Sequence, residues 1–557
     1  MRLASCLAAL AAVVGVAVRG ADTDDTKYNV LFLLVDDLKP ALGSYDNELA
    51  ITPHMDKLMR SGVQFDNMHS NKAECAPSRL SLLTGHRSDY LRTWGFLPTF
   101  RTRNPNLMTM PGHFREHGYR VEAVGKVFDT RSFVKSPSTK QKRLGITPAP
   151  VDLCRSSEER VCSFDLSIEK TAVIMDGDGV CQNNGTQFFP GWGGDVLKKR
   201  NFLTWAYDEE HAGSDLDACI TTAAQERLQV LVQGEQPFFL LVGFSQPHLP
   251  WVFPKRILDL YENVTDSEFA PPEEQGLFWR DSKVSWSRHA SQEMKTYRNW
   301  RRVSKPDRVK AYYAAVTHVD EQIGNLLGTL NETPDVADRT IVLLWGDHGF
   351  HLGEQNLWGK KTLFEHGTRI PFGIAPPRAY RDKHPVVVGS RVQTPTDSTD
   401  IFPTLVEMCN IPGPTVGKEF ENLPRAGASL VPLLQDPTSW VRAAAVSQYE
   451  SGKSRLFMGY SLRSHSYRLN IYVRERNPNK RTSLVAFRKR KVATSKLALF
   501  HYASSSDLEV RNLIDHPDHA EAKQALLKLF YATTTRNWDD SLLGVQPFDH
   551  PSLATTP

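Results

Sequence analysis

The stretch Tyr28-Asn29-Val30-Leu31-Phe32-Leu33-Leu34-Val35, which runs straight into Asp36-Asp37, decides the fold. It is β-rich and lacks the apolar/polar alternation of a half-exposed strand, so it reads as a strand covered on both faces. Arg120 to Val124, Pro237 to Phe244 and Thr340 to Trp345 read the same way. Helical patterns lie between them. Thr52-Pro53 supplies an N-cap and an N1 proline for a helix that aligns Met55, Leu58 and Met59 and closes at Gly62. Lys305 to Leu330 carries Val309, Tyr312, Val316, Val319, Ile323, Leu326 and Leu330 at helical spacing. Strands alternating with helices specify an α/β fold, a large and mostly parallel sheet sandwiched by helices.

Each run ends at polar groups: Asp36-Asp37, then Lys126, His248 and Asp347-His348. Open α/β sheets bind ligands outside the carboxyl ends of their strands, so these groups are expected to converge on one site. From Arg131 to Ser214 the pattern weakens, as in long loops that shape a pocket rim. Beyond a turn-rich stretch at Gln435 to Ser439, Tyr467 to Val473 and Ala498 to Tyr502 read as strands and Ala520 to Ala532 as a helix. The expected division is a removable segment at 1–20, a catalytic domain at 21–435 and a smaller α+β subdomain at 436–557.

The 557 residues include 67 Lys+Arg against 63 Asp+Glu, a composition that excludes a disordered chain or a disulfide-scaffold miniprotein. Arg2, the apolar run Leu3 to Val18 and a small-residue site before Gly20 read as a secretory signal peptide, too short to be a membrane anchor. Removing its two arginines takes the formal charge from +4 to +2, which gives nucleic-acid binding no support. No later run reaches membrane-spanning length. Entry into the secretory pathway makes Asn184, Asn263 and Asn331 candidate glycan acceptors. Of the 7 cysteines, Cys6 leaves with the signal and Cys75 sits in a context that argues against a disulfide. Cys154, Cys162 and Cys181 are expected to contribute one bridge, whereas Cys219 and Cys409, in helical patterns, read as buried thiols.

Cys75-Ala76-Pro77-Ser78-Arg79, continuing Leu80 to Gly85, places a cysteine at the start of a helix with an arginine beside it, a setting that favours an anion. Asp36, Asp37, Asp347 and His348 suit a hard divalent cation, and this oxygen-rich set favours calcium over zinc. Taken singly, Asp-Asp after a strand also reads as a turn or cap, and Asp-His as structural. Lys126 and Lys360 are candidate anion ligands, with Lys361 competing for the second place. His248, flanked by Pro247 and Pro250, is the candidate general acid.

The pattern C-x-P-S-R followed by L-L-T-G resembles the signature of the type I sulfatases, an alkaline-phosphatase-like fold family. Val-Gly-Lys-Val-Phe (124–128), Pro-His-Leu-Pro (247–250), Asp-His-Gly (347–349) and Met458-Gly459-Tyr460-Ser461 look most like the iduronate-2-sulfatase branch. The resemblance implies that a formylglycine-generating enzyme oxidises Cys75 to formylglycine in the endoplasmic reticulum. One hydroxyl of the hydrated aldehyde then attacks sulfur, and the other expels sulfate. It further implies catalytic roles for Arg79, Lys126, His248 and Lys360, metal ligation by Asp36, Asp37, residue 75, Asp347 and His348, and a sulfated glycan substrate such as heparan or dermatan sulfate. A lysosomal or secreted destination and chain processing also follow from it.

Two positions depart from the branch. Asp129 stands where a histidine assists the second hydroxyl, and Gln246 stands where lysine is frequent. Both remove positive charge, which keeps two alternatives open: a phosphonate or phosphodiester hydrolase on the same scaffold, and a sulfated-glycan-binding protein with impaired turnover. The basic stretch Arg474 to Lys491 reads as a solvated loop, a polyanion contact or a protease-sensitive segment.

Overall fold

The computed structural model describes residues 27–95, 100–129, 165–169, 174–175, 181–182, 204–207, 215–264, 294–297, 300–414, 427–451, 457–474, 497–503, 509, 511–535 and 546–551. The signal segment, Cys154, Cys162, the Asn184 sequon and most of the basic stretch lie outside them.

An eight-stranded sheet forms the centre. Its strands are β1 (Asn29–Val35), β2 (Val63–Phe65), β3 (Arg120–Gly125), β4 (Leu166–Glu169), β5 (Phe238–Phe244), β6 (Thr340–Gly346), β7 (Phe372–Ala375) and β8 (Arg391–Val392). The spatial order is β8-β2-β7-β6-β1-β5-β3-β4. Only β7 runs against its neighbours; every other pairing is parallel. The four strands legible in the sequence are therefore the contiguous block β6-β1-β5-β3.

Why β1 shows no alternation is visible in its packing. Leu31, Leu33 and Val35 enter one core cluster, and Val30, Phe32 and Leu34 enter another on the opposite face. The first face is covered by α1 (Pro53–Arg60), α3 (Leu216–Leu231) and α4 (Lys305–Asn331), and the second by α2 (Cys75–Thr84) and α5 (Ile401–Met408). Each buried Leu, Val or Phe of β1 contributes about 1.5–3 kcal/mol of hydrophobic stabilisation, so a polar residue on either face would be selected against.

A second sheet is antiparallel, in the order β9 (Ala445–Ser451), β10 (Phe457–Arg463), β11 (Tyr467–Arg474) and β12 (Leu497–His501), and α6 (Ala520–Thr535) packs on it. The sequence reading located β11, β12 and α6 but not β9 or β10. The short strands Leu166–Glu169 and Thr204–Tyr207 also lie in the segment read as loops. One expectation is overturned. Cys219, on α3, is disulfide-bonded and is not a free thiol. Its helical setting gave no sign of this, because a helix side chain can reach a neighbouring loop as readily as a core. Cys409 is a free, buried thiol, as is Cys75.

Candidate active site

The strand ends do converge. Asp36 and Asp37 follow β1, Lys126 follows β3, His248 follows β5, and Asp347 and His348 follow β6, all at the carboxyl edge of adjacent parallel strands. Close approach of β3 and β5 at this edge requires glycine. A Cβ on Gly243 would stand 2.0 Å from the Lys126 carbonyl oxygen, and one on Gly125 2.2 Å from the Gly243 carbonyl oxygen.

Residue 75 is the first residue of α2, and the helix ends on Gly85 in the left-handed conformation (φ 68°). Its Sγ lies 3.3 Å from His348 Nε2 and 3.3 Å from Lys360 Nζ. Burial, then the Asp36 charge, push the Cys75 thiol well above its ordinary value. As cysteine the residue is thus held toward its thiol form.

Asp37 adopts a positive φ of 60°, and the conformation is held from both sides. Its N–H donates to Asp347 Oδ1 at 2.9 Å, and its carbonyl accepts from Tyr312 Oη at 2.8 Å. Lys360 Nζ pairs with Asp37 Oδ1 at 2.6 Å. Lys126 Nζ pairs with Asp36 and stands 3.8 Å from Asp129 Oδ2. Lys361 instead reaches Glu74 at 3.4 Å, so of the two neighbouring lysines it is Lys360 that stands beside residue 75.

Arg79 does more structural work than its sequence context indicated. Its Nε donates to Asp347 Oδ2 at 3.1 Å and one terminal nitrogen donates to the Lys126 and Val127 carbonyls. The other terminal nitrogen is buried without a hydrogen-bond acceptor, 3.6 Å from Asp36 Oδ1. Tyr312 was legible only as a core position of the long helix and Ser78 only as part of C-x-P-S-R; that the Ser78 hydroxyl donates to the Asp347 carbonyl and Tyr312 to the Asp37 carbonyl is a matter of tertiary placement that neither pattern marks.

A hard divalent cation fits this arrangement. Asp36, Cys75, Asp347 and His348 each offer a ligand atom within 4.8 Å of the others, and Asp37, Cys75 and His248 form an overlapping group. Asp36 Oδ1 is buried without a hydrogen-bond donor. Burial, then the Asp36 charge, raise the Asp347 carboxyl to about 7. Asp36 itself, although burial opposes ionisation, is held well below the usual range by Lys126, His248 and Arg79. Two buried carboxylates that resist joint ionisation are what a cation between them relieves. His348 Nδ1 lies 3.1 Å from the Gly349 carbonyl and, donating to it, turns a lone pair on Nε2 toward the carboxylates. Burial, then Lys360, lower this imidazole to about 3, so it stays neutral and able to ligate.

Among the formal charges, Asp36, Asp37, Asp347 and Asp129 oppose Arg79, Lys126 and Lys360, so −4 + 3 leaves −1; all seven are buried.

A family profile described as Sulfatase matches residues 28–411. The iduronate 2-sulfatase of Mus musculus is 28% identical over 496 residues, covering 80% of this chain and 84% of that protein. Among solved structures, a phosphonate monoester hydrolase from Silicibacter pomeroyi superposes with a TM-score of 0.64 at 19% identity, covering 92% and 96% of the two chains. A protein described in complex with its substrate D-glucosamine-2-N,6-O-disulfate superposes with a TM-score of 0.61 at 19% identity, covering 91% and 97%. These likenesses give the fold as alkaline-phosphatase-like. With the profile spanning the strand-edge site from Asp36 to Lys360, the chain belongs to the sulfatase family.

Proposed function

We propose that the protein hydrolyses sulfate esters on sulfated sugars, with 2-sulfated iduronate in heparan or dermatan sulfate as the leading substrate. The observation that carries this is the gathering of Asp36, Asp347, His348 and Lys360 around residue 75. Formylglycine at position 75, installed by the formylglycine-generating enzyme, would supply a hydrate whose two hydroxyls open and close the covalent step. Calcium held by Asp36, Asp37, Asp347 and His348 would supply positive charge beside the sulfate.

The remaining work belongs to the chain's own side chains. Lys360 and Lys126 bind and orient sulfate oxygens, and the terminal nitrogen of Arg79 that has no hydrogen-bond acceptor adds a third donor as negative charge develops. His248 Nδ1 stands 2.7 Å from the Leu249 carbonyl. With Nδ1–H committed there, Nε2 is the nitrogen left to pass a proton to the leaving sugar oxygen. Maturation through the secretory pathway to a lysosomal or extracellular destination accords with this chemistry.

Phosphodiester or phosphonate hydrolysis is the second reading, supported by the likeness in fold to a phosphonate monoester hydrolase. A panel of defined sulfated oligosaccharides and phosphodiesters separates the two. Sulfate release from the oligosaccharides is expected to exceed phosphodiester cleavage; the reverse ranking would overturn the proposal. Asp129→His tests the binding-only alternative: sulfate release persists or rises if the enzyme turns over, and a protein that binds glycan but releases no sulfate in either form would contradict turnover.

A further inference from the structure

The turn that delivers His248 is tied down from outside the catalytic set. Asp217, fully buried in the first turn of α3, accepts two consecutive backbone N–H groups: Ser245 N to Oδ1 at 2.6 Å and Gln246 N to Oδ2 at 2.6 Å. These are the two residues that leave β5. The Ser245 carbonyl in turn accepts the His248 N–H at 2.9 Å, so the residue fixed by Asp217 also closes the turn carrying the imidazole. Gln246 Nε2 clasps the far side of the loop through the Pro250 carbonyl at 3.1 Å, and Trp251 Nε1 holds the Pro247 carbonyl at 2.8 Å. Gln246 thus binds its own loop, which gives the departure from lysine a structural use.

Asp217 is itself held. Its N–H donates to Asp215 Oδ1 at 2.7 Å, and Asp215, the N-cap of α3, takes the Tyr207 hydroxyl at 2.7 Å and pairs with His318 of α4. Two rigid helices therefore set the position of the two amides. A carboxylate is the side chain that can accept both at once. An asparagine would face one of them with its own N–H₂, leaving a buried donor unsatisfied.

We propose that Asp217 is a positioning residue for His248, fixing where the imidazole stands relative to residue 75 and the leaving oxygen. The inference rests on the proposed role of His248 as general acid. Its signature is leaving-group selectivity. A sugar alcohol leaves poorly without a proton, whereas a nitrophenolate leaves unaided.

The test compares wild type, Asp217→Asn, Asp217→Ser, His248→Ala and the double variants on a sulfated sugar and on 4-nitrophenyl sulfate. General acid catalysis contributes on the order of 10²–10⁴-fold, so Asp217→Asn is expected to lower kcat on the sugar by about 10- to 100-fold, with KM little changed. On 4-nitrophenyl sulfate the loss is expected to stay within about threefold. In the His248→Ala background the Asp217 substitution should add almost nothing, because the two act through one step. Equal losses on both substrates, or additive losses in the double variant, would overturn the proposal. Asp217→Ser keeps one acceptor and serves if the asparagine variant does not fold. Independently of any variant, hydrogen exchange in the wild-type protein should find the Ser245 and Gln246 amides strongly protected, and exchange at the rate of an open turn would also overturn it. A wild-type enzyme without sulfate-ester hydrolysis, yet with these amides protected, would count against the proposed function and leave the tie intact.

Discussion

Lys360 and Lys361 are neighbours with different tasks. Lys360 Nζ lies between Asp37 and the Sγ of residue 75, buried, whereas Lys361 turns away with a φ of 76° and pairs with Glu74. Replacing Lys360 with Ala is expected to lower kcat/KM on a sulfate ester by about 100-fold, the scale of losing one oriented donor to developing negative charge. Lys361→Ala should cost no more than about fivefold, the worth of a partly exposed ion pair. Steady-state kinetics on the two variants decide between the lysines, and a larger loss at Lys361 would reverse the assignment. Sequence could not choose between them, because which of two adjacent lysines faces residue 75 depends on how the loop is folded, Lys361 taking a left-handed conformation. Cys75 was legible for the opposite reason: Pro77 and Gly85 mark the helix ends around it, and Arg79 stands one turn along. Asp217 was not legible, since an acid in the first turn of an apolar helix reads as ordinary helix-dipole chemistry.

At the scale of elements, the second sheet grips the segment that carries Lys360. Arg468 of β11 donates to the Leu363 carbonyl at 3.0 Å, pairs with Glu365, and meets Glu509 at 2.9 Å, while Arg463 of β10 reaches Glu365 at 3.1 Å. Removing Arg468 leaves two buried carboxylates short of a partner, so Arg468→Met is expected to cost about 3–5 kcal/mol in denaturant unfolding and to lower kcat through the loosened 360–368 segment. Burial alone would raise the Glu365 carboxyl, but Arg463 and Arg468 hold it well below its ordinary 4.5. A depressed folded value means the stabilisation is complete above 4.5 and is lost as pH falls below it. Glu509, raised mainly by burial, works in the opposite direction, so the melting temperature reads the difference between the two. A shallower acid slope in Arg468→Met than in wild type is the expected outcome, and an unchanged slope would contradict the clamp. The long helix and the block β6-β1-β5-β3 were readable because burial forces a period or a continuous apolar run. Phe372–Ala375 and Ala445–Ser451 were not, since one is four residues containing a glycine and the other, Ala-Val-Ser-Gln-Tyr-Glu-Ser, takes its strand form from pairing with β10.

For the whole molecule, a net charge near zero conceals a concentrated pair of opposites, buried carboxylates and buried cations at one sheet edge, and on the proposed function they hold a divalent cation together with an anion. Calcium should therefore raise the melting temperature of the folded protein, by the equivalent of about 2.7 kcal/mol when present at a hundredfold over its dissociation constant. A chelator should reverse the shift and Asp36→Asn should abolish it; a shift that survives Asp36→Asn would place the ion elsewhere. The doubly covered parallel sheet and the convergence of its strand ends followed from the pattern of β1 and its partners, whereas the substrate is written in side chains around the site that no periodicity marks. The account turns on residue 75. Mass spectrometry of the peptide bearing it, taken from protein that releases sulfate, is predicted to find formylglycine in place of cysteine, and fully active protein carrying only the unmodified thiol would contradict it.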